Sequence, residues 1–200
     1  MDLVDRIETT RFLGSEFLLW LWFSQDALDG LLKLPKIGPV AVTLGTQLML
    51  IDPLKPPESV HVRGLDPCSS SEAEQALHQG KLPRKVGLRL TFEDNDWVFT
   101  LDATTLGVTN VKVPALLSEG EEETFHERMR LFEQMHDLVQ ALYGRFLAVR
   151  LSPVWDSDVA PSMRRWLADG TMPESAEYEA LHSSEPRHKS SKRTARRAGR

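Results

Sequence analysis

Glu123 with His126 and Glu133 with His136 repeat the spacing Glu-x-x-His, which lets a helix offer a carboxylate and an imidazole to a metal ion. A di-iron carboxylate centre gathers such pairs from different helices and adds further glutamates. Here both pairs fall in one helical run, separated by roughly 15 Å of rise and about 80° of rotation, so they cannot share an ion. They read as part of a solvated charged face. The acids of "FEDND", Glu93, Asp94 and Asp96, supply oxygen ligands but lack the spacing and terminal glutamate of an EF-hand, and a tight turn favours the same residues. Cys68 lies in "DPCSSSEAE", where a following helix N-terminus can lower a thiol pKa, yet no partner group is identifiable and it reads as an incidental loop cysteine. Being the single cysteine, it excludes an intrachain disulfide framework and a multi-cysteine zinc site, and it fits a reducing compartment. The chain has no glycine-rich phosphate loop, nucleophile elbow or HExxH motif. The expectation is a protein without catalytic residues, metal or cofactor.

Charge gives a more positive indication. The net charge of −5 over 200 residues conceals an asymmetry, because the last fourteen, "RHKSSKRTARRAGR", hold seven Lys/Arg and no acid. The remainder then has 17 Lys+Arg against 29 Asp+Glu, a net of −12. A body of that charge repels a polyanion unless its cations are grouped on one surface, whereas the tail attracts one. Two groups are therefore candidates for phosphate contact without base reading: Lys81, Arg84, Lys85 and Arg89 in "GKLPRKVGLRL", and Arg187, Lys189, Lys192, Arg193, Arg196, Arg197 and Arg200 in the tail. A bland reading of the first group is that cations on a sheet edge discourage strand pairing. Basic termini also serve as solubilising or targeting segments.

The elements that must position these residues follow from pattern. Phe17 to Phe23, "FLLWLWF", reads as a helix, with Thr9 or Thr10 as N-cap and Gly30 as terminator, although a run of this composition also suits a buried strand. As a helix it is apolar all round, so one core face cannot bury it. It is also too short for a bilayer, which takes about 20 apolar residues. The N-terminal "MDLVDRIE" has acids where an export signal needs cations, and a cytoplasmic location is expected.

"GPVAVTLGTQLMLIDP" reads as a hairpin about Gly45, "SVHVRG" as a short strand, and "SSSEAEQALHQG" as a serine-capped helix ending at Gly80. "VGLRLTF" and "WVFTLDA" alternate apolar and polar residues. A four-residue loop over 93–96 would set Phe92 opposite Trp97, Leu90 opposite Phe99 and Leu88 opposite Leu101. "GVTNVKVP" adds an edge strand. A long helix over 119–150 carries Phe125, Met129, Phe132, Met135, Val139, Leu142, Phe146 and Leu147 as a stripe to lie on the sheet, and a short helix closes at Gly170. The expected architecture is α+β: an antiparallel sheet from Val40 to Val113 covered by the long helix, with the aromatic helix at one side. The domain spans 1–170, and 171–200 is a disordered basic tail.

The series "FLGSEFLLWLWF", "SSSEAEQALHQGKLPRKVGLRLTFEDNDWVFTLDATTLGVTNVKVPALL" and "ERMRLFEQMHDLVQALYGRFLAVRLSPVW" resembles, in order, the C-terminal portion of the recombination-associated protein RdgC family. The resemblance spans Arg11 to Leu167 and contains no catalytic motif. It implies a bacterial, nucleoid-associated protein that binds double-stranded DNA with little sequence preference, encircles it as a dimeric ring and modulates recombinase loading. It also implies that the family's N-terminal region, which precedes the apolar segment, is missing here. An uncovered aromatic patch invites aggregation. Phe17, Trp20, Trp22 and Phe23 are accordingly expected to pack partly within the chain and partly against a homodimer partner or a separately encoded N-terminal half; the alternative is that the segment is simply core. The alternative function is a protein–protein interaction module, a degenerate relative that does not bind DNA.

Overall fold

The computed structural model of the chain describes residues 12–52 and 58–170. Phe17 to Phe23 occupy the middle of helix α1 (Phe12–Leu28). An apolar run all round a helix must be covered on every side. The chain does this by placing α1 between an antiparallel sheet and an outer layer made of α3 (Glu121–Arg150) and α4 (Ala160–Asp169). The expected partner-interface residues Phe17, Trp20, Trp22 and Phe23 are only 1, 0, 3 and 0 % exposed, so they are core and present no surface to a second body. Rings of the outer layer cover them. Phe17 lies 5.2 Å from Tyr143 edge-on, Trp20 lies 5.7 Å from Phe146, and Trp22 and Phe23 lie 5.8 and 5.6 Å from Trp166. Each such side chain contributes about 1.5–3 kcal/mol on burial, which makes this helix the main apolar load of the fold. Glu16 and Arg150, 3.1 Å apart, tie α1 to α3, with the guanidinium 4.9 Å from the Trp155 ring centre.

The sheet contains β1 (Leu31–Leu34), β2 (Gly38–Ile51), β3 (Ser59–Arg63), β4 (Leu82–Phe92), β5 (Asn95–Asp102) and β6 (Val108–Lys112). Its order is β1-β2-β4-β5-β6, with β3 also on β2, and all pairs are antiparallel. β1 pairs with residues 38–41 and β3 with residues 47–51, so both share one edge of β2. Between them the Leu44 N–H donates to Gln25 Oε1 at 2.5 Å, and α1 thereby satisfies backbone that no strand reaches. The α+β class holds, with the aromatic helix central and not at one side. Among the described residues no helix is long and apolar enough to cross a membrane.

Three local expectations are corrected. The segment 38–51 is one strand and not a hairpin, because Gly45 lies in a bulge where residues 45–47 of β2 oppose Gly87 alone. The β4–β5 turn has two residues, Glu93 and Asp94, with Glu93 at φ 53°, so Leu90 faces Trp97, Leu88 faces Phe99 and Val86 faces Leu101. An even shift keeps the same side chains on the same face. The stripe on α3 is buried at Met135, Val139, Leu142 and Phe146 and half-buried at Phe132 and Leu147, while Phe125 and Met129 are 59 and 45 % exposed, since the first turns overhang the core. α1 covers the centre of the sheet, and α3 meets the sheet at one end, where the Trp97 indole donates to the Leu131 carbonyl at 3.0 Å.

Helix α2 (Ser71–His78) begins and ends where its caps place it. The Ser70 hydroxyl accepts from the Ala73 N–H at 3.2 Å and donates to the Pro67 carbonyl at 2.9 Å, and Gly80 takes φ 79° after the last turn. Ser70→Ala is expected to lower stability by about 1 kcal/mol in urea unfolding, with no change in the m-value.

Candidate nucleic-acid interface

In β4 the side chains of Val86, Leu88 and Leu90 turn toward α1 and are buried, so Lys85 and Arg89 emerge on the opposite face. The same alternation sends Lys33 outward between buried Leu32 and Leu34. On β3, His61 and Arg63 share their face with Met49 and Gln47, their partners on β2. Lys112 of β6 faces Val98, which faces Arg89. The described helices all lie on the other side. This open face thus carries the exposed cations Lys33, Arg63, Lys85, Arg89 and Lys112, with His61 among them. Arg89 and Lys112 lie two strands apart, as do Lys85 and His61, which is about 10 Å in a sheet.

Two acids share this face. Asp96 accepts from the Thr91 hydroxyl, and Asp102 lies 3.5 Å from Arg84 Nε and 3.4 Å from Lys85 Nζ. Partial burial works against ionisation of Asp102, but the Thr104 N–H, Arg84 and Lys85 together outweigh it and hold its carboxyl below the ordinary carboxylate range. The middle of the face is polar and uncharged: Gln47 crosses Gly87 to donate to the Thr100 hydroxyl, and Asn110 Nδ2 reaches the same oxygen at 3.4 Å. A methyl group on Gly87 would stand 3.2 Å from Gln47 Cγ, so glycine keeps this crossing open. No Phe, Tyr or Trp points from the described strands onto this face.

Of the first predicted cationic group, Lys85 and Arg89 belong to this surface. Arg84 sits at the bulge before Lys85 and is held by Asp102. Lys81 does not belong: it is 9 % exposed, with its ammonium 3.1 Å from Gln79 Oε1 and 4.0 Å from Glu58, so it is a structural cation and not a phosphate contact. Nor do these residues guard a sheet edge, because β4 is flanked by β2 and β5. Arg187, Lys189, Lys192, Arg193, Arg196, Arg197 and Arg200 lie outside the described residues. Lys33, Arg63 and Lys112 were not singled out in the sequence, and their only signal is alternation with buried strand residues.

The other chemistry-bearing residues have local roles. The Cys68 thiol is buried, and burial, reinforced by Asp66 and Asp26, pushes it up and out of the reactive range, the reverse of the helix-terminus effect. His126 lies 3.9 Å from Glu122 and His136 2.6 Å from the Gln140 amide, both on the α3 surface. The Glu127 carboxylate accepts from the Ser118 N–H at 2.9 Å and the Leu117 N–H at 3.1 Å, and these bonds hold its carboxyl below the usual range. Among the described residues no group of three His, Cys, Asp or Glu side chains can hold a metal ion. No family model matches the chain, and neither a curated protein nor a solved structure matches it.

Proposed function

We propose that this chain binds double-stranded DNA without sequence preference, through the open face of its sheet and its basic C-terminal residues, and acts without catalysis in the control of recombination, as the RdgC resemblance implies. The observation that carries the reading is the grouping of Lys33, Arg63, Lys85, Arg89 and Lys112 on one face that no described helix covers, in a body that is otherwise strongly acidic. Grouped cations attract phosphates that the body as a whole repels. The lack of Phe, Tyr and Trp on that face favours a duplex over a single strand, whose bases need stacking platforms. Alternating strand cations meet phosphates and carry no base code, which supports binding without sequence preference. Nucleoid association follows from such binding.

An electrophoretic titration of the full chain with a random-sequence duplex tests this at about 50 and 200 mM salt. The expected result is a shift at low salt that weakens steeply at the higher concentration; no shift at either overturns the reading. Asp102→Asn is expected to raise affinity about threefold, because it releases Arg84 and Lys85 from a competing carboxylate while keeping the acceptor for Thr104. An unchanged or lower affinity in fluorescence anisotropy argues that those cations meet no phosphate.

The interaction-module reading is favoured by one observation, the exposure of Leu117, Phe125 and Met129 at 87, 59 and 45 % around the start of α3. The dimer that the resemblance implies also has to use a surface of this kind, since the aromatic helix is buried. Light scattering across micromolar concentrations, with and without Phe125→Ser, tests it. A dimer lost in the variant supports that surface, and a monomer at every concentration removes it.

A further inference from the structure

On the helical side of the molecule, a recess of 180 Å³ opens between the C-terminal half of α1, the turn before α2, α2 itself and the end of α4. Trp22 and Trp166 line it, edge to face at 5.8 Å, together with Asp26, Glu74, His78 and Gly170. The Trp166 Nε1–H donates to Asp26 Oδ2 at 3.2 Å and fixes the carboxylate against the indole. No lysine or arginine forms an ion pair with Asp26 or Glu74 among the described residues.

From this combination we infer that the recess is a binding site for the ammonium or guanidinium group of a lysine or arginine side chain. The Trp166 indole, backed by the buried Trp22, attracts such a cation through its π-electrons and covers its apolar stem, while a fixed carboxylate gives it a charge-assisted hydrogen bond. The groups around the recess are poor hosts for an anion. Asp66, close to Asp26, adds a third negative charge, and His78 is the single basic group on the lining. The state of Asp26 agrees: partial burial, with Asp66 adding to it, raises its pKa to about 6 despite the opposing bonds from Trp166 and Gln25, as befits a carboxylate with no counter-cation among the described residues. The inference does not depend on DNA binding.

Two sources can supply the cation: the chain's own seven Lys/Arg beyond Pro186, which follow the Gly170 at the rim in sequence, or another molecule. The probe is L-arginine amide, titrated into the full chain labelled with ¹⁵N at its tryptophan indoles, against sodium chloride of equal ionic strength. The expected result is a saturable shift of the Trp166 indole resonance, with affinity about tenfold lower in Asp26→Asn, which keeps the acceptor for Trp166, and lower also in Glu74→Gln on the exposed side of α2. A chain with the seven tail cations changed to glutamine separates the sources. Tighter probe binding there than in the wild type shows that the tail competes for the recess, and equal binding assigns the recess to an external cation. No saturable shift, or one matched by sodium chloride or unaffected by both substitutions, overturns the inference.

Discussion

Reversing two charges on the open sheet face, Arg89→Glu with Lys112→Glu, is expected to weaken binding to a random duplex about thirtyfold at 0.1 M salt and to reduce the slope of log affinity against log salt by about two. Each lost phosphate contact removes roughly one released counterion and about a threefold factor over a fourfold change in salt. Each new carboxylate then adds repulsion. Both residues are exposed and neighbour the uncharged Val98 in register, so the sheet has no structural reason to change. The control is an equal change of net charge on the helical side, Arg128→Glu with Arg164→Glu, both exposed. If the face is the contact surface, this second pair costs only the general effect of net charge, about threefold or less. Equal losses in the two double variants mean that overall charge and the tail govern binding, and that the sheet face has no special part in it.

Trp20→Ala is expected to cost about 3–5 kcal/mol, the range for truncating a large buried aromatic, and to lower the melting temperature by roughly 10 °C or more. The indole is fully buried, 6.3 Å from Phe17 and 5.7 Å from Phe146 between ring centres, in the layer that joins the sheet to α3. Phe125→Ala, on the overhanging turns of α3, is expected to cost less than about 1 kcal/mol. Differential scanning calorimetry of the two variants gives the contrast. A Trp20→Ala chain that melts with the wild type but loses an oligomer would return the aromatic helix to an intermolecular interface.

These residues also show what the sequence reveals and what it hides. The ends of α2 are legible because capping is local: Ser70 and Gly80 act on backbone within a few residues of themselves. The inward faces of β4 and β5 are legible from alternation, but alternation survives a shift of two, so it fixes the facing and leaves the length of the turn at Glu93 and Asp94 open. Gly45 carries the same local signal whether it makes a hairpin turn or a bulge, and only Gly87 on β4 decides between them. β1, "LLKL", was not expected at all, because Gly30 ended the helix and four residues are too few for periodicity to register. The least legible feature is what covers "FLLWLWF". Its all-round apolarity shows that more than one surface must cover it, but the covering side chains, Tyr143, Phe146 and Trp166, lie more than a hundred positions further along the chain. The candidate surface was half legible: Lys85 and Arg89 stood out in a cationic run, and Lys33, Arg63 and Lys112 became their neighbours only when the strands paired.

The most direct test of the proposed surface is an amide chemical-shift map of the full chain titrated with a short random duplex at low salt. The shifts expected are at Lys85, Gly87 and Arg89 on β4, with Lys33, Arg63 and Lys112 on the neighbouring strands, while α1 and the buried turns of α3 stay unmoved. Shifts confined to the helical side or to residues beyond Pro186, or none at all, would contradict the assignment of the sheet face to DNA.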